Sequence, residues 1–182
     1  MRRSSEKTKA AILAAARERF GAAGFQAATI RAIAADAGVD PAMVMRYYGS
    51  KDKLFAAAAD FDLRFPDLAA VERTQVGRSL VRHFLERWEG DDALVILLRS
   101  SATNDEAAQR MRLIFETQLQ PLVARVAPAE SQWRAGLIAT QIMGMAFCRF
   151  VLRLVPVVAM SRDEIVEWLG PTIQRYLGLP ES

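Results

Sequence analysis

Residues 29–55 read TIRAIAADAGVDPAMVMRYYGSKDKLF, and the spacing of their apolar side chains decides the fold. Ile30, Ile33, Ala34 and Ala37 fall at i, i+3, i+4 and i+7, which is one face of a helix and not the alternation of a strand. Thr29 stands where a side-chain oxygen would accept one of the unpaired N–H groups that open a helix. Gly38 supplies a tight turn and Asp40 a second cap. Pro41 suits the first position of the next helix, because the N–H it lacks would have had no partner there. That third helix is predicted to end near Tyr48, with a break at Gly49 and Ser50 before a fourth begins at Lys51. Two short helices joined by a glycine turn make a helix-turn-helix, in which the second helix enters the DNA major groove and the first braces it. Such pairs also occur in proteins that never touch DNA, so the geometry alone leaves the function open.

Working outward, the sequence predicts helices almost throughout. A first helix over about 4–22 turns Ile12, Ala15, Ala16 and Phe20 inward and meets Gly21 and Gly24 at its end, with Phe25 anchoring the turn that follows. The fourth helix is predicted to run to Phe65, placing Leu54, Ala58, Phe61 and Phe65 on one side, and Pro66 closes it. Further helices are expected over about 72–89, 91–101, 105–126, 130–154 and 161–177. The third of these bends near Pro121 and the last kinks at Gly170 and Pro171. The fold class is therefore all-α. A helix-turn-helix head over 1–50 is joined by a connecting helix, 51–65, to a helical body over 66–182.

Charge is distributed unevenly along this chain. Residues 1–53 hold ten Lys or Arg against five acids, including all four lysines, whereas the other 129 residues carry a net −2 within the overall +3. A basic head on a near-neutral body suits contact with a polyanion at one end, although a solvated basic face would look the same. The single Cys148 and single His83 offer no disulfide and no metal-ligand cluster, and no nucleophile with its base or Gly-rich phosphate loop stands out. Neither enzymatic activity nor a cofactor is expected. His83 is expected as a surface or capping residue. The basic N-terminus lacks the apolar core of a signal peptide, and the fourteen uncharged residues between Arg134 and Arg149 are too few to span a bilayer. Both features predict a cytoplasmic protein without a membrane anchor.

The 29–55 stretch, with Phe20, Gly24 and Phe25 before it, closely resembles the DNA-binding signature of TetR-like regulators. The resemblance covers roughly residues 8–55 and implies several contacts. Thr29, Tyr47 and Lys51 occupy positions that meet phosphate in that family, contacts that position a protein without reading sequence. Val44 and Tyr48 are implied to be core. Met45 stands where the family usually has Tyr, which removes one expected phosphate hydrogen bond. Base reading would fall to Pro41, Ala42, Met43 and Arg46. Of these only Arg46 can pair bidentately with guanine, while the apolar ones suit thymine methyls.

The resemblance further implies that the body binds a ligand and dimerises through its last two helices. Phe84, Trp88, Met111, Phe115, Gln118, Trp133, Met143 and Phe147 have the composition of an apolar small-molecule site, or equally of a core. Gly136, Thr140, Gly144 and Cys148 recur every fourth residue, a ridge of small side chains along which another helix can approach. Trp168, Leu169, Ile173 and Tyr176 on the last helix suit dimer anchors. The expected partners are a double-stranded operator, a second copy of the chain and a small apolar effector. A regulator without a small ligand, or an activator, fits the same sequence.

Overall fold

The computed structural model of the chain describes residues 2–90 and 92–180, and all regular structure among them is helical. In order, the α-helices are α1 (Arg2–Ala27), α2 (Ile30–Asp36), α3 (Pro41–Tyr48), α4 (Lys51–Ala58), α5 (Val76–Gly90), α6 (Asp92–Ser100), α7 (Asp105–Ile114), α8 (Gln120–Val126), α9 (Ser131–Ala146), α10 (Val155–Ala159) and α11 (Arg162–Leu177). Asp91, where the sixth was expected to begin, lies outside the described residues. Two compact units result. One comprises Met1–Phe61 with Asp92–Met111, the other Asp62–Asp91 with Arg112–Ser182.

In the first unit each short helix starts where its capping residue predicts. Thr29 Oγ1 accepts from Ala32 N at 3.1 Å, Asp40 Oδ1 from Ala42 N at 2.7 Å and Ser50 Oγ from Lys53 N at 3.1 Å. Gly38 turns the chain at φ 64°, in the left-handed region that glycine enters at no steric cost. Ile12, Ala16, Phe20, Ile33, Val44 and Leu54 are fully buried. The Phe20, Phe25 and Phe55 rings pack together, with Phe55 edge-on to Phe20 at 5.0 Å and to Phe25 at 5.1 Å between centroids. Removing the Phe20 ring would cost roughly 3–5 kcal/mol at such a site. α6 closes the unit from outside the head sequence: Ile96 and Leu97 are fully buried, and Arg99 donates to the Gly21 carbonyl on α1. Salt links add to this, with Arg19 paired to Asp36 and Arg110 to Asp60.

Several boundaries depart from the sequence expectation, each for a physical reason. The first helix is broken at Gly24 (φ 74°, ψ 172°), where the sequence placed its end, and α1 includes one further short turn beyond that break, to Ala27. The fourth helix stops at Ala58 and does not reach Phe65. Beyond it the chain follows an irregular path, with Leu63 buried, Asp62 and Arg64 exposed and Arg64 in the left-handed region at φ 48°. Side chains then satisfy that backbone: Leu63 N–H donates to Gln118 Oε1 (2.7 Å), His83 Nε2 donates to Leu63 O (2.7 Å) and Arg87 donates to Asp62 O (2.8 Å). His83 is accordingly half-buried against the Phe65 and Phe84 rings, a strap for this segment and not a surface or capping residue. Between α7 and α8 a π-turn, Phe115–Leu119, shifts the ladder just before Pro121, whose missing N–H ends the regular pattern. A second π-turn, Phe147–Val151, follows α9, and the turn around Pro156 is itself helical, as α10.

The second unit is organised by the pairing of α5 with α11. Gly77 and Gly170 let the two backbones approach: a Cβ built on Gly77 would lie 2.7 Å from Gln174 N and 2.9 Å from Gln174 Cβ, and against the Gly170 carbonyl oxygen. Gln174, 3% exposed, binds both sides of that contact. Its Oε1 accepts from Gly77 N at 2.7 Å, and its Nε2 donates to Arg73 O at 2.6 Å and Pro180 O at 2.7 Å. A buried amide left unpaired would be costly, so this residue locks one register of α11 on α5. Pro171 sits inside α11, which runs unbroken to Leu177 behind a Ser161–Glu164 capping box.

Candidate nucleic-acid interface

α3 presents one buried and one open face. Val44 is wholly buried and anchors the helix, whereas Ala42, Met45 and Arg46 are exposed, and Pro41, Met43, Tyr47 and Tyr48 are half-buried. Arg46 therefore projects from the open face, and among the described residues no hydrogen bond or ion pair ties its guanidinium. Tyr48 is fixed from below by its hydroxyl, which donates to Lys9 O at 3.0 Å, and burial pushes that phenol above its usual pKa. Lys9 Nζ in turn lies 5.8 Å from the Tyr47 ring centroid, placing a cation beside that ring.

Thr29 sits exposed at the α2 N-terminus. Its oxygen accepts the capping bond, which leaves the hydroxyl proton free to donate outward, so capping and phosphate contact are compatible. Lys51, expected to meet phosphate, is engaged within the head in this structure. Its Nζ donates to Gln26 O at 3.2 Å and lies 4.5 Å from the Phe25 ring centroid, turned onto the segment beyond Gly24. An ammonium has three donors, so this clamp leaves capacity for a phosphate. The Arg19 guanidinium, hydrogen-bonded to Asp36, holds that carboxyl below the usual carboxylate range and ties α1 to α2 behind the open face.

The residues expected to bind ligand do not gather into one site. Phe84 and Trp88 are buried on α5, 3% and 4% exposed. Gln118 is engaged with Leu63 N, and Phe115 and Met143 are half-buried. Met111 belongs to the first unit, while Trp133 is 80% exposed on α9 and Phe147 is exposed just after it. A cavity of about 740 Å³ in the second unit is lined by residues of the 65–76 segment, α8 and Leu179, none of them in that set.

Among the expected dimer residues, Ile173 is fully buried within its own subunit and its side chain is not available to a partner; burial in the core of its own unit accounts for its apolar character. Others face outward. Trp168 is 78% exposed, Thr140 and Gly144 are exposed, and a Cβ on Gly136 or Gly144 would meet nothing within 4 Å. Cys148, Leu169 and Tyr176 are half-buried, the last with its hydroxyl 3.3 Å from Gln141 Nε2. Thr140, Gly144, Cys148, Trp168 and Leu169 share a largely apolar groove of about 340 Å³. Trp133 and Leu137, the latter 47% exposed, extend the same α9 surface, a feature the small-residue spacing did not signal.

A capped helix-turn-helix with an open, cation-bearing second helix has the form with which DNA-binding proteins enter the major groove. The family comparison is specific. Residues 12–58 match the bacterial regulatory proteins of the tetR family and residues 74–177 the tetracyclin repressor-like C-terminal domain, so the chain belongs to the TetR family of DNA-binding transcriptional regulators. That membership places it among DNA-binding proteins and not enzymes.

Solved structures agree over nearly the whole length. A TetR-family regulator from Streptomyces coelicolor is 27% identical with TM-score 0.59, over 95% of this chain and 96% of that one. A transcriptional regulator from Rhodococcus is 18% identical with TM-score 0.71, over 94% and 97%. NalD, the secondary repressor of a multidrug efflux pump in Pseudomonas aeruginosa, is 23% identical with TM-score 0.69, over 96% and 97%. Comparison with curated protein sequences finds no match. Among the described residues no helix is long and apolar enough to cross a membrane.

Proposed function

We propose that the chain acts as a homodimeric repressor that leaves a palindromic operator when its second unit takes up a small effector. The observation that carries the DNA side is Arg46, exposed on the open face of α3 and untied among the described residues. One short helix reads too few bases for specificity, so two copies related by a two-fold axis are needed, and operator symmetry should mirror theirs. The exposed Trp133, Leu137, Gly144 and Trp168 supply an apolar surface for that pairing. Phosphate contacts from Thr29, Tyr47 and Lys51 would set the register, with Pro41, Ala42, Met43 and Arg46 against base edges and Met45 contributing no polar contact. An effector acts only through unequal affinity for the two conformations, and DNA must then weaken effector binding by the same factor.

Selection of bound genomic fragments at defined salt gives operator sequence and symmetry, after which Arg46→Ala is measured against single-base operator variants. Loss of about 1–3 kcal/mol with relaxed preference at one position of each half-site identifies base reading. Unchanged affinity, preference and salt dependence would remove α3 from the groove.

A further inference from the structure

We infer that the cavity of about 740 Å³ in the second unit is a binding site for an amphipathic carboxylate, with an apolar tail among its walls and the headgroup between Arg73 and Arg125. The inference rests on the effector reading above and assigns it a place and a chemistry. The volume is that of a small-molecule site. Phe65, Leu68, Val76, Leu122, Val126 and Leu179 provide the apolar part of the wall, against which a hydrocarbon tail can lie.

The polar lining is unbalanced. Arg73 and Arg125 both line the cavity, and among the described residues neither guanidinium is engaged by a carboxylate. Asp67 is the acid in the same lining, and its Oδ1 already accepts from Ala69 N at 3.1 Å, capping the turn it begins. The cavity thus has a net positive charge. Guanidinium groups match a planar carboxylate with paired hydrogen bonds, which neither an alcohol nor an amine reproduces. Arg73 is also held from behind, because its carbonyl accepts from buried Gln174. Its backbone position is therefore set before any ligand arrives.

The site also borders the chain that follows α4. Phe65, Leu68 and Ala69 belong to the stretch of chain that leaves α4 at Ala58, so filling the cavity bears on the segment that continues directly from the DNA-binding unit.

The test is equilibrium dialysis of the full chain against octanoate, dodecanoate and hexadecanoate below their micellar concentrations, with dodecan-1-ol as the uncharged counterpart. At least one carboxylate should bind once per chain, and dodecanol at least about tenfold more weakly than dodecanoate. Arg73→Gln and Arg125→Gln should each lower carboxylate affinity about tenfold while leaving dodecanol binding and the unliganded melting temperature unchanged. Val126→Trp, which fills the cavity, should abolish binding of both.

Failure of all three carboxylates to bind overturns the inference, as does equal binding of dodecanol or indifference to both arginine variants. Operator affinity measured with the same carboxylates separates this site from the effector reading. Arginine-dependent binding that leaves operator affinity unchanged keeps the site and refutes ligand release. Release by a compound whose potency is the same in both arginine variants keeps ligand release and refutes this site.

Discussion

Gly77→Ala adds one methyl group to α5 at the point where α11 comes closest. The new Cβ would fall 2.7 Å from Gln174 N, 2.9 Å from Gln174 Cβ and against the Gly170 carbonyl oxygen. Two of these three neighbours are backbone atoms of α11, so a rotamer change cannot relieve the clash. Helix propensity favours the substitution by up to about 1 kcal/mol. Overpacking against it costs about 1–3 kcal/mol, toward the upper end because backbone must move. Separating the helices also stretches the 2.7 Å bond from Gly77 N to Gln174, and a buried N–H left unpaired costs a further 1–3 kcal/mol or so. The net expectation is a loss of about 3 kcal/mol, which for a chain of this size lowers the melting temperature by roughly 6–12 °C. Gly90→Ala is the control: it lies in the same helix, where an added Cβ meets nothing within 4 Å, and it should be neutral or slightly stabilising. Thermal unfolding should be followed at one fixed protomer concentration, since dimerisation makes the midpoint concentration-dependent. Equal midpoints for the two variants would refute close backbone packing of α5 on α11.

Lys51→Ala should reduce both head stability and DNA affinity, because the ammonium clamps Gln26 and Phe25 while retaining donors for phosphate; chemical denaturation and the salt slope read the two effects separately. A slope lowered by about one with unchanged unfolding would show that the clamp contributes nothing. Gly144→Trp places a bulky side chain on open α9 surface, so the subunit should fold normally while dimerisation weakens; unchanged sedimentation would move the interface elsewhere. Asp36 is held below the usual carboxylate range by Arg19, so its contribution is present above the ordinary Asp pKa and disappears as pH falls through its lowered value. Carboxyl-carbon NMR should show Asp36 titrating at lower pH than it does in Arg19→Gln, and coincident curves would exclude the pair as the cause.

How much was legible varied with the kind of signal. In the head, the starts of α2, α3 and α4 coincide with side chains that cap them, Thr29, Asp40 and Ser50, and local chemistry of this kind is written in a few consecutive residues. The end of α4 was not legible. Phe61 and Phe65 continue a helical spacing, and the competing irregular path is held by Gln118, His83 and Arg87, none of them near in sequence. The same distance problem hides the cavity, whose walls come from the 65–76 segment, α8 and Leu179. Aromatic and Met residues at helical spacing serve equally as core, as Phe84 and Trp88 do, and periodicity cannot tell that use from ligand contact. Ile173 belongs to the same class. Its apolar side chain marks a buried helix face, and only the packing shows that the chain's own helices cover it.

The α6 contribution to the first unit bears on how such regulators can be recombined. The residues that build the DNA-binding signature end before Phe61, yet Ile96, Leu97 and Arg99 complete the packing around α1 from a segment more than thirty residues downstream. A hybrid made by grafting residues 1–61 onto a foreign sensor would leave that flank of α1 bare, whereas one that also carries 92–111 would import its own cover. Exchange of specificity between regulators of this design is thus a two-segment transplant, and the intervening 62–91 stretch can stay with the recipient.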